Sequence, residues 1–423
     1  MKTRHVPGGN SSKIQLPHKS LANPNKVRVI QAVRKYGPVS VARIVQFTGL
    51  SKPTVDQYVE VLRKDGFIYA EGLGESNGGR RPTLYAFCNS AFYTISIELE
   101  IPRCRVGVVD LEGNVLSHSE YMISSSKSIQ QALLDIAEQI YEIMTQLGIP
   151  GNRYLGIGIG VSGYLSKGQG VALFSPRLAD WRDVPLRSYF EQRFGLPVYL
   201  DSWINLALLG QINADFQPLG ENLAYVDVSR GVGAGLLLGG KSYTGPFGNA
   251  GVIGHMVMEP GGRQCHCGKR GCLEQYCSEP ALVRRFRELN SPENGDTDIS
   301  ADIIFSKYEA GDEIAHRVVE EGFKYLATGV ANLITLFEIQ TVIMGGVLAS
   351  IPPNLAQLLS NLICDNTPPI LRRSLVINYA SHRDVDAVLK GAMHLTVASL
   401  FDISQGMAVL KHKGDNGGMP IYK

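Results

Sequence analysis

Apolar residues recur at helical spacing in three consecutive segments near the N-terminus. The segments run from Asn25 to Gly37, over 41–48 and from Ser51 to Asp65. Each has apolar positions three or four residues apart, as in a helix with one buried face. The positions predicted to face inward are Val27, Ile30, Val33, Ile44, Phe47, Val55, Val59 and Leu62. The pattern predicts three short helices that pack around one small core.

Alternating apolar residues after the third helix predict a β-hairpin. Its strands are 67–69 and 83–85, and the glycine-rich segment 72–82 forms its tip. A hairpin that follows a helix-turn-helix unit is typical of a winged helix. The sequence therefore predicts a winged helix-turn-helix domain over 21–89. The polar and basic segment 1–20 has no hydrophobic period and is expected to be a mobile arm.

From residue 90 onward, apolar strands alternate with helices and glycine-rich turns. Strands are predicted over 93–98, 105–110, 115–122, 154–161, 197–200, 223–228, 231–240 and 341–347, and helices over 129–147, 301–310, 313–337 and 384–400. A strand meander followed by a helix occurs twice, which predicts an α/β body of two similar lobes around a cleft. The first lobe is expected to comprise 90–200 and 388–423, and the second lobe 201–387.

Charge divides the chain into a basic head and an acidic body. Residues 1–90 carry 14 Lys plus Arg and 5 Asp plus Glu, a net charge of +9. The remaining residues carry 27 basic and 34 acidic side chains, a net charge of −7. A head of this charge favours binding to a polyanion such as nucleic acid. The alternative is an accidental cluster of solvated lysines.

The third predicted helix and the tip of the hairpin carry side chains suited to DNA. Exposed polar residues on such a helix reach base edges or phosphates when the helix lies in the major groove. The helix residues predicted to contact DNA are Ser51, Lys52, Thr54, Gln57 and Tyr58. Arg80 and Arg81 at the hairpin tip are predicted to enter a narrow minor groove. The alternative is a winged helix that mediates protein contacts.

Neither a membrane span nor a secretory leader is predicted. The most apolar long segment, 325–352, is interrupted by Glu338. The first thirty residues are basic and polar and lack the apolar run of a signal peptide. We therefore expect a cytoplasmic protein that does not bind membranes.

The glycine-rich stretch 248–278 contains four cysteines and the pattern of a zinc site. His255, Cys265, Cys267 and Cys272 follow the spacing H-x9-C-x-C-x4-C, which can complete a closed tetrahedral shell of three thiolates and one imidazole. Disulfides and unreactive buried thiols are the alternatives, but an odd number of cysteines in a reducing compartment favours a metal. A structural Zn²⁺ ion is predicted, and Cys277 is expected not to bind it.

Four motifs resemble those of the ROK family of repressors and sugar kinases. They are GGRRP at 78–82, LGIGIGV at 155–161, GVIGHM at 251–256 and CHCGKRGCLE at 265–274. The resemblance covers the chain from about residue 20 onward and implies a two-lobed actin-like ATPase fold of the ribonuclease H-like type. It also implies zinc bound by His255 and the three cysteines of the pattern. The winged helix places the chain among the repressor members.

The same resemblance shows where the parts of a sugar kinase would lie. Where the kinases have their first glycine-rich phosphate loop, this chain has Glu98-Leu99-Glu100. Trp203 stands at the position of the catalytic aspartate and cannot accept a proton, and Asp201 lies two residues away. We therefore expect no kinase activity. A sugar kinase with a regulatory head is the alternative.

The cleft is expected to bind an effector. Of the sugar-binding positions that the resemblance implies, His255 and Glu274 are kept, whereas Val252 replaces a glutamate. The predicted effector contacts are Arg177, Ser202, His255 and Glu274. An arginine suits an anion, so a sugar phosphate, a sugar acid or a related small anion is expected. Zinc would fix His255 and the Glu274 segment beside the cleft.

These features together predict a DNA-binding transcriptional regulator, most simply a repressor, of carbohydrate-related genes. Its partners are expected to be a double-stranded DNA operator and a small effector that resembles a sugar. A homodimer or a dimer of dimers is expected because one winged helix reads few base pairs. In the alternative case, Arg177 pairs with Asp180 or Asp201 and the cleft binds nothing.

Overall fold

The computed structural model of the chain describes residues 21–75, 81–100, 102–124, 127–175, 178–214, 221–290, 299–380 and 386–401. The predicted arm over 1–20, Arg80, Arg177 and the last part of the predicted first lobe, 402–423, lie outside the described residues.

The head consists of three helices and a three-stranded antiparallel sheet in the order β1-β3-β2. Its elements are α1 (Pro24–Tyr36), β1 (Val39–Ser40), α2 (Val41–Thr48), α3 (Lys52–Lys64), β2 (Ile68–Leu73) and β3 (Thr83–Phe87). The Ser40 hydroxyl accepts a hydrogen bond from the Arg43 N–H (3.5 Å), and the Ser51 hydroxyl accepts one from the Thr54 N–H (3.4 Å). These side-chain caps satisfy N–H groups in the first turns of α2 and α3. The head has the predicted winged-helix architecture.

One predicted core position in the head is wrong. Phe47 is 40% exposed and stacks on Tyr36, with ring centroids 4.0 Å apart. Helix α2 instead buries Ile44 and Thr48, and the Thr48 hydroxyl donates to the Ile44 carbonyl (2.7 Å), which satisfies this polar group inside the core. Helical spacing alone could not distinguish residue 47 from residue 48.

The first lobe is built on a five-stranded sheet in the order β11-β7-β4-β5-β6. Its strands are β4 (Tyr93–Glu100), β5 (Arg103–Asp110), β6 (Val115–Met122), β7 (Tyr154–Val161) and β11 (Val198–Ser202). Strands β4 to β6 form an antiparallel meander, and β7 pairs in parallel with both β4 and β11. Helices α4 (Ile129–Leu147) and α5 (Leu186–Phe194) pack on it, and a small antiparallel sheet of β8 (Tyr164–Ser166), β9 (Val171–Ser175) and β10 (Leu178–Val184) extends it.

The second lobe repeats this topology. Its sheet has the order β14-β13-β12-β15-β16, with strands β12 (Leu223–Val228), β13 (Val232–Leu238), β14 (Lys241–Ser242), β15 (Thr341–Gly346) and β16 (Val376–Tyr379). Again three antiparallel strands are followed by two that join in parallel. The predicted repetition of meander and helix is thus observed as two sheets with the same strand order.

The helices of the second half of the chain pack around and between the two sheets. They are α6 (Trp203–Ala214), α7 (Glu274–Cys277), α8 (Glu279–Leu289), α9 (Ala301–Glu309), α10 (Glu313–Phe337), α11 (Pro353–Asn366), α12 (Pro369–Arg372) and α13 (Ala387–Phe401). Helix α10 is the central helix of the second core, with twelve buried residues. No helix in the described ranges is both long and apolar enough to cross a membrane.

Helices α6 and α13 cross between the lobes with almost no space between their backbones. A Cβ atom on Gly210 of α6 would lie 1.9 Å from the Ala387 carbonyl oxygen. A Cβ atom on Gly391 of α13 would lie 1.9 Å from the Leu206 carbonyl oxygen. These glycines are required because any side chain would separate the two helices. Displacement of α6 must therefore move α13.

The same helix α13 joins the body to the head. Leu389, Met393, Val397 and Phe401 belong to the apolar cluster that fills the head. The Phe401 ring packs edge-on against Phe87 of β3, with centroids 6.4 Å apart. The head is therefore packed against the body through a shared core, rather than joined to it only by a linker.

Candidate functional site

The loop between β14 and α7 folds into a compact knuckle that is rich in tight turns. Short β-bridges join Val257 to Cys272 and Gln264 to Arg270. Gly271 has a φ of +80°, and a Cβ atom there would lie 1.7 Å from the Glu259 carbonyl oxygen. Only glycine allows this approach. The knuckle brings together side chains that are up to seventeen residues apart in sequence.

Four side chains of the knuckle, His255, Cys265, Cys267 and Cys272, form a cluster that could hold a metal ion. Their ligand atoms all lie within 4.8 Å of one another. The His255 Nδ1 atom is 3.6 Å from the Cys265 Sγ atom, and the Cys267 and Cys272 Sγ atoms are 3.6 Å apart. Bonds of about 2.3 Å to a tetrahedral zinc ion place two sulfur ligands roughly 3.8 Å apart. Two of the donor pairs therefore have the separation that a tetrahedral site requires, and all four donors are close enough together to share one ion.

The structure does not favour the alternative of disulfides. All seven cysteines of the chain are unpaired, and 3.6 Å between two sulfur atoms far exceeds a disulfide bond of about 2.05 Å. Burial raises the pKa of both Cys265 and Cys272. A metal must displace these thiol protons when it binds. Cys277 lies outside the cluster and donates to the Leu273 carbonyl.

Glu274 connects the knuckle to the space between the lobes. It is the first residue of α7 and is 6% exposed. Its Oε1 atom accepts a hydrogen bond from the Cys265 thiol (3.0 Å) and lies 3.1 Å from the His266 Nδ1 atom and 3.4 Å from the His255 Nδ1 atom. His255, His266 and Glu274 also form a second group of possible metal ligands. The position of the Glu274 carboxylate therefore depends on the knuckle.

A cavity of about 340 Å³ lies between the lobes, beside the knuckle. Its lining includes Glu100, Tyr164, Ser202, Trp203, Ile204, Asp227, Ser229, Arg230, Val232, Asn249, Val252, His255, His266 and Glu274. Three of the four predicted effector contacts, Ser202, His255 and Glu274, are thus brought together. The volume is at the lower end of the range for small-molecule pockets.

The segment that the resemblance compares with the first phosphate loop of the kinases is held by ion pairs. Glu98 is buried and pairs with Arg103 (2.8 Å) and Arg105 (3.2 Å). Burial raises the pKa of the Glu98 carboxyl group, and the two guanidinium groups partly offset this effect. Trp203 begins α6 and faces the cavity.

Asp201 is held away from the predicted position of the base by its own partners. It is buried and accepts hydrogen bonds from the Ser202 N–H (2.8 Å) and the Asn205 side-chain amide (2.9 Å). It also forms an ion pair with Lys167. In the alternative in which Arg177 pairs with Asp201, the arginine would compete with Lys167 for the Asp201 carboxylate.

Asn249 joins the two lobes at the edge of the cavity. Its Oδ1 atom accepts a hydrogen bond from the Leu165 N–H (3.0 Å), and its Nδ2 atom donates to the Leu165 carbonyl (3.1 Å). Leu165 belongs to β8 of the first lobe, whereas Asn249 lies in the first part of the knuckle loop of the second. An asparagine side chain has a donor and an acceptor, so it can bond to both the N–H and the carbonyl of one backbone residue. Nothing in the sequence around Asn249 indicates that this residue is Leu165.

The residues predicted to contact DNA lie on the outer side of α3. Lys52 and Gln57 are exposed, and the Lys52 ammonium pairs with Asp56 (2.7 Å). The Ser51 and Thr54 hydroxyl groups bond to each other (2.7 Å). Tyr58 is half-buried and packs against the head core. Arg81, on the wing, is exposed.

Comparison with known proteins identifies both parts of the chain. Residues 94–398 match the model of the ROK family, and residues 23–70 match that of bacterial regulatory proteins of the arsR family, a helix-turn-helix family. The xylose repressor of Bacillus subtilis is 30% identical over 76% of this chain and 81% of its own length. A glucokinase of Streptomyces coelicolor is 31% identical over 60% of this chain and 81% of its own.

A solved structure agrees with the whole architecture. The crystal structure of a ROK family transcriptional regulator, a homologue of the E. coli MLC protein, superposes with a TM-score of 0.78, covering 93% of this chain and 99% of that one at 23% identity. This similarity concerns the fold and includes the winged-helix head as well as the two lobes. The chain therefore belongs to the ROK family, with a regulatory helix-turn-helix head on a ROK body.

Proposed function

We propose that this protein is a DNA-binding transcriptional repressor whose affinity for its operator is controlled by a small sugar in the interlobe cavity. The observation that carries the proposal is the continuous packing from the cavity to the head. Trp203 lines the cavity and is the first residue of α6. Helix α6 packs closely against α13, and the last residues of α13 lie in the core of the head. A ligand and an operator can therefore affect each other's binding.

The head supplies the contacts to DNA in this proposal. Helix α3 would lie in the major groove, with Lys52, Thr54 and Gln57 towards the bases and phosphates. Arg81, and Arg80 beside it in sequence, would reach the adjacent minor groove from the wing. Two copies of the chain would bind two half-sites, which multiplies the few contacts that one head can make.

The body supplies the control. The two lobes can be arranged in more than one way relative to each other. A ligand that binds one arrangement more tightly than another shifts the population towards it, and this shift is what would change DNA binding. Three relatives are named as xylose repressors at 30–32% identity. A pentose is therefore the first effector to test. Ser202, His255 and Glu274, together with Arg177, are the proposed contacts.

We infer that the cluster in the knuckle holds a structural zinc ion. Three thiols and one imidazole at the observed spacing match the donor set and the geometry of closed zinc sites. When bound, the ion would crosslink the loop. His255 would then be fixed in orientation, and the Glu274 carboxylate would be kept at the cavity through its contact with His266, which follows the Cys265 ligand in sequence.

Binding of the full chain to DNA from upstream of its own gene tests the proposal. Fluorescence anisotropy should show a Kd that rises steeply with salt and increases when xylose or a related sugar is added. Replacement of Arg81 (Arg81→Ala) should reduce the salt slope by about 0.9 if that arginine contacts a phosphate. An Arg193→Ala variant, which removes the same charge from the body, should bind DNA as the parent does. DNA binding without salt dependence, or the absence of binding, would refute the proposal.

Sugar kinase activity is the second candidate, and it rests on the similarity to glucokinases. Trp203 at the base position and the acidic Glu98 and Glu100 near the first phosphate position argue against it. Turnover of ATP with xylose or glucose would establish this activity, and a rate no higher than that of ATP alone would exclude it for these sugars.

A further inference from the structure

A stack of three side chains joins the end of helix α3 to the body. The guanidinium group of Arg153 lies over the Phe92 ring, 5.3 Å from its centroid, as in a cation–π contact. The other face of this pair is extended by Phe67, whose ring stacks on Phe92 with centroids 4.2 Å apart and an interplanar angle of 16°. Arg153 and Phe92 belong to the body, whereas Phe67 follows α3 in the head. The stack therefore crosses the junction between head and body.

The same stack contacts the turn that ends α3. The Phe67 N–H donates to the Leu62 carbonyl (2.9 Å), which ties this ring to the last turn of the helix. Gly66 has a φ of +83°, and a Cβ atom there would lie 2.9 Å from the Arg153 Nη1 atom. A residue other than glycine would be strained at this φ and would push the guanidinium group away. Arg153 thus lies directly against the C-terminal end of the helix that is proposed to enter the major groove.

Two strands of the first sheet connect this stack to the interlobe cavity. Strand β4 begins one residue after Phe92 and ends at Glu100, which lines the cavity. Strand β7 begins one residue after Arg153 and leads to Ser162, which also lines the cavity. The two strands pair in parallel, so both run from the head to the cavity. Arg153 and Phe92 are therefore anchored to a sheet whose opposite edge forms part of the cavity wall.

This contact with the head differs from the one that α13 makes. Helix α13 reaches the head at α1 and β3, where the Gln31 side chain donates to the Phe401 carbonyl and the Phe401 ring packs against Phe87. The stack instead touches α3 itself. One contact would leave the head free to turn about it, whereas two contacts on different elements fix the orientation of α3 relative to the body.

We propose that Arg153 is a positioning residue for operator binding, because its guanidinium group, held on Phe92, sets the orientation of α3 relative to the body. The inference rests on the proposed function, since it takes α3 to read the operator and two copies of the chain to bind two half-sites. Such binding needs both α3 helices at a fixed separation and orientation. Binding to unrelated DNA depends mainly on phosphate charge and tolerates other orientations. Loss of the Arg153 contact should therefore weaken specific binding more than non-specific binding.

Fluorescence anisotropy of the full chain with two DNA duplexes tests this role. One duplex comes from upstream of its own gene, and the other has the same length and base composition in scrambled order. Arg153→Ala should weaken binding to the first duplex roughly fivefold or more, and to the second less than about twofold. The slope of log Kd against log salt should stay as in the parent, because Arg153 acts through α3 and not on a phosphate.

Two further variants complete the experiment. Arg193→Ala is the matched control, since Arg193 also lies over an aromatic ring, that of Tyr141 (5.6 Å), but within the first lobe, and it should bind both duplexes as the parent does. Arg153→Lys keeps the charge and loses the planar guanidinium group, so it should also weaken binding to the first duplex selectively. It replaces Arg153→Ala in the comparison if thermal melting shows that the alanine variant is unfolded at the assay temperature.

The outcomes distinguish this inference from the proposed function. Unchanged binding to the first duplex in a folded Arg153→Ala variant, or parental binding by Arg153→Lys, would overturn the inference and leave the proposed function standing. An equal loss of affinity for both duplexes would also overturn it, as would a salt slope reduced by about 0.9, which indicates a direct phosphate contact. If the parent protein does not prefer the first duplex to the second, the DNA-binding half of the proposed function fails, and the inference fails with it.

Discussion

The two hydrogen bonds between Asn249 and Leu165 lead to a quantitative prediction for the closure of the lobes. An Asn249→Ala variant removes both bonds, which measure 3.0 and 3.1 Å, together with the bond from its Nδ2 atom to the Phe247 carbonyl (3.2 Å) within the second lobe. Each intramolecular hydrogen bond contributes about 0.5–1.5 kcal/mol net, so the arrangement with the lobes together should lose about 1–3 kcal/mol. A ligand that needs this arrangement should bind roughly 5- to 150-fold more weakly, since 1.4 kcal/mol corresponds to a factor of ten.

Asn222 offers a matched control for this experiment. Its side chain makes two hydrogen bonds, from Nδ2 to the Phe337 carbonyl (2.9 Å) and from the Gly239 N–H to Oδ1 (2.8 Å). All of these residues lie in the second lobe, and none lines the cavity. Asn222→Ala should therefore lower the free energy of unfolding by a similar amount without changing the affinity for the effector.

The assay is a calorimetric Kd for the sugar that binds most tightly, measured for the parent and both variants. Thermal melting in the absence of ligand provides the stability of each. A weaker Kd in Asn249→Ala alone would support the lobe-joining role. An unchanged Kd in Asn249→Ala, or an equal loss of affinity in both variants, would refute it.

Three further predictions concern the knuckle, the crossing helices and the contact between body and head. Cys272→Ser should lose bound zinc, measured by atomic emission, and melt at a lower temperature, whereas Cys277→Ser should retain the metal. Gly391→Ala should lower the free energy of unfolding in a urea titration by about 3 kcal/mol, because its Cβ atom would overlap a backbone carbonyl of α6, while Gly151→Ala, which meets no atom within 4 Å, should cost far less. Burial, and then nearby positive charge, lower the pKa of His394 from 6.5 to about 4. As the pH falls below 6.5, this histidine therefore takes up a proton in the unfolded state but stays neutral in the folded state until about pH 4. Stability should therefore fall by up to roughly 3 kcal/mol as the pH drops from 6.5 to 4, and His394→Gln should flatten this part of the pH profile of the melting temperature.

Local features of the structure could be predicted from the sequence because their causes are local. The hydroxyl caps at Ser40 and Ser51 depend on a bond to an N–H group three residues away. The meander over β4 to β6 and the long helix α10 follow from the period of apolar residues. The spacing of cysteines and glycines in the knuckle likewise identified the four side chains that the fold brings within 4.8 Å.

Several elements were not predicted from the sequence, although one of them, α8, is amphipathic enough that its apolar period could have been found. The small sheet of β8 to β10, helices α5, α8 and α11, and strand β16 were not expected. The apolar positions of α6 surround the helix instead of forming a stripe, since α6 is covered by α13 and by both sheets. Phe47 was wrongly predicted to face inward, because its ring stacks on Tyr36 of another helix near the surface, a contact that helical spacing does not record.

The sequence by itself determined the type of each domain, the family resemblance and the donor set of the knuckle, all of which are encoded in short stretches of chain. Only the tertiary structure decided which side chains share the cavity. Glu100, Asp227 and Asn249 come from three separate segments, and they meet because two sheets of the same topology face each other. Contacts of this kind depend on how whole lobes pack, and no pattern within one segment records its distant partner.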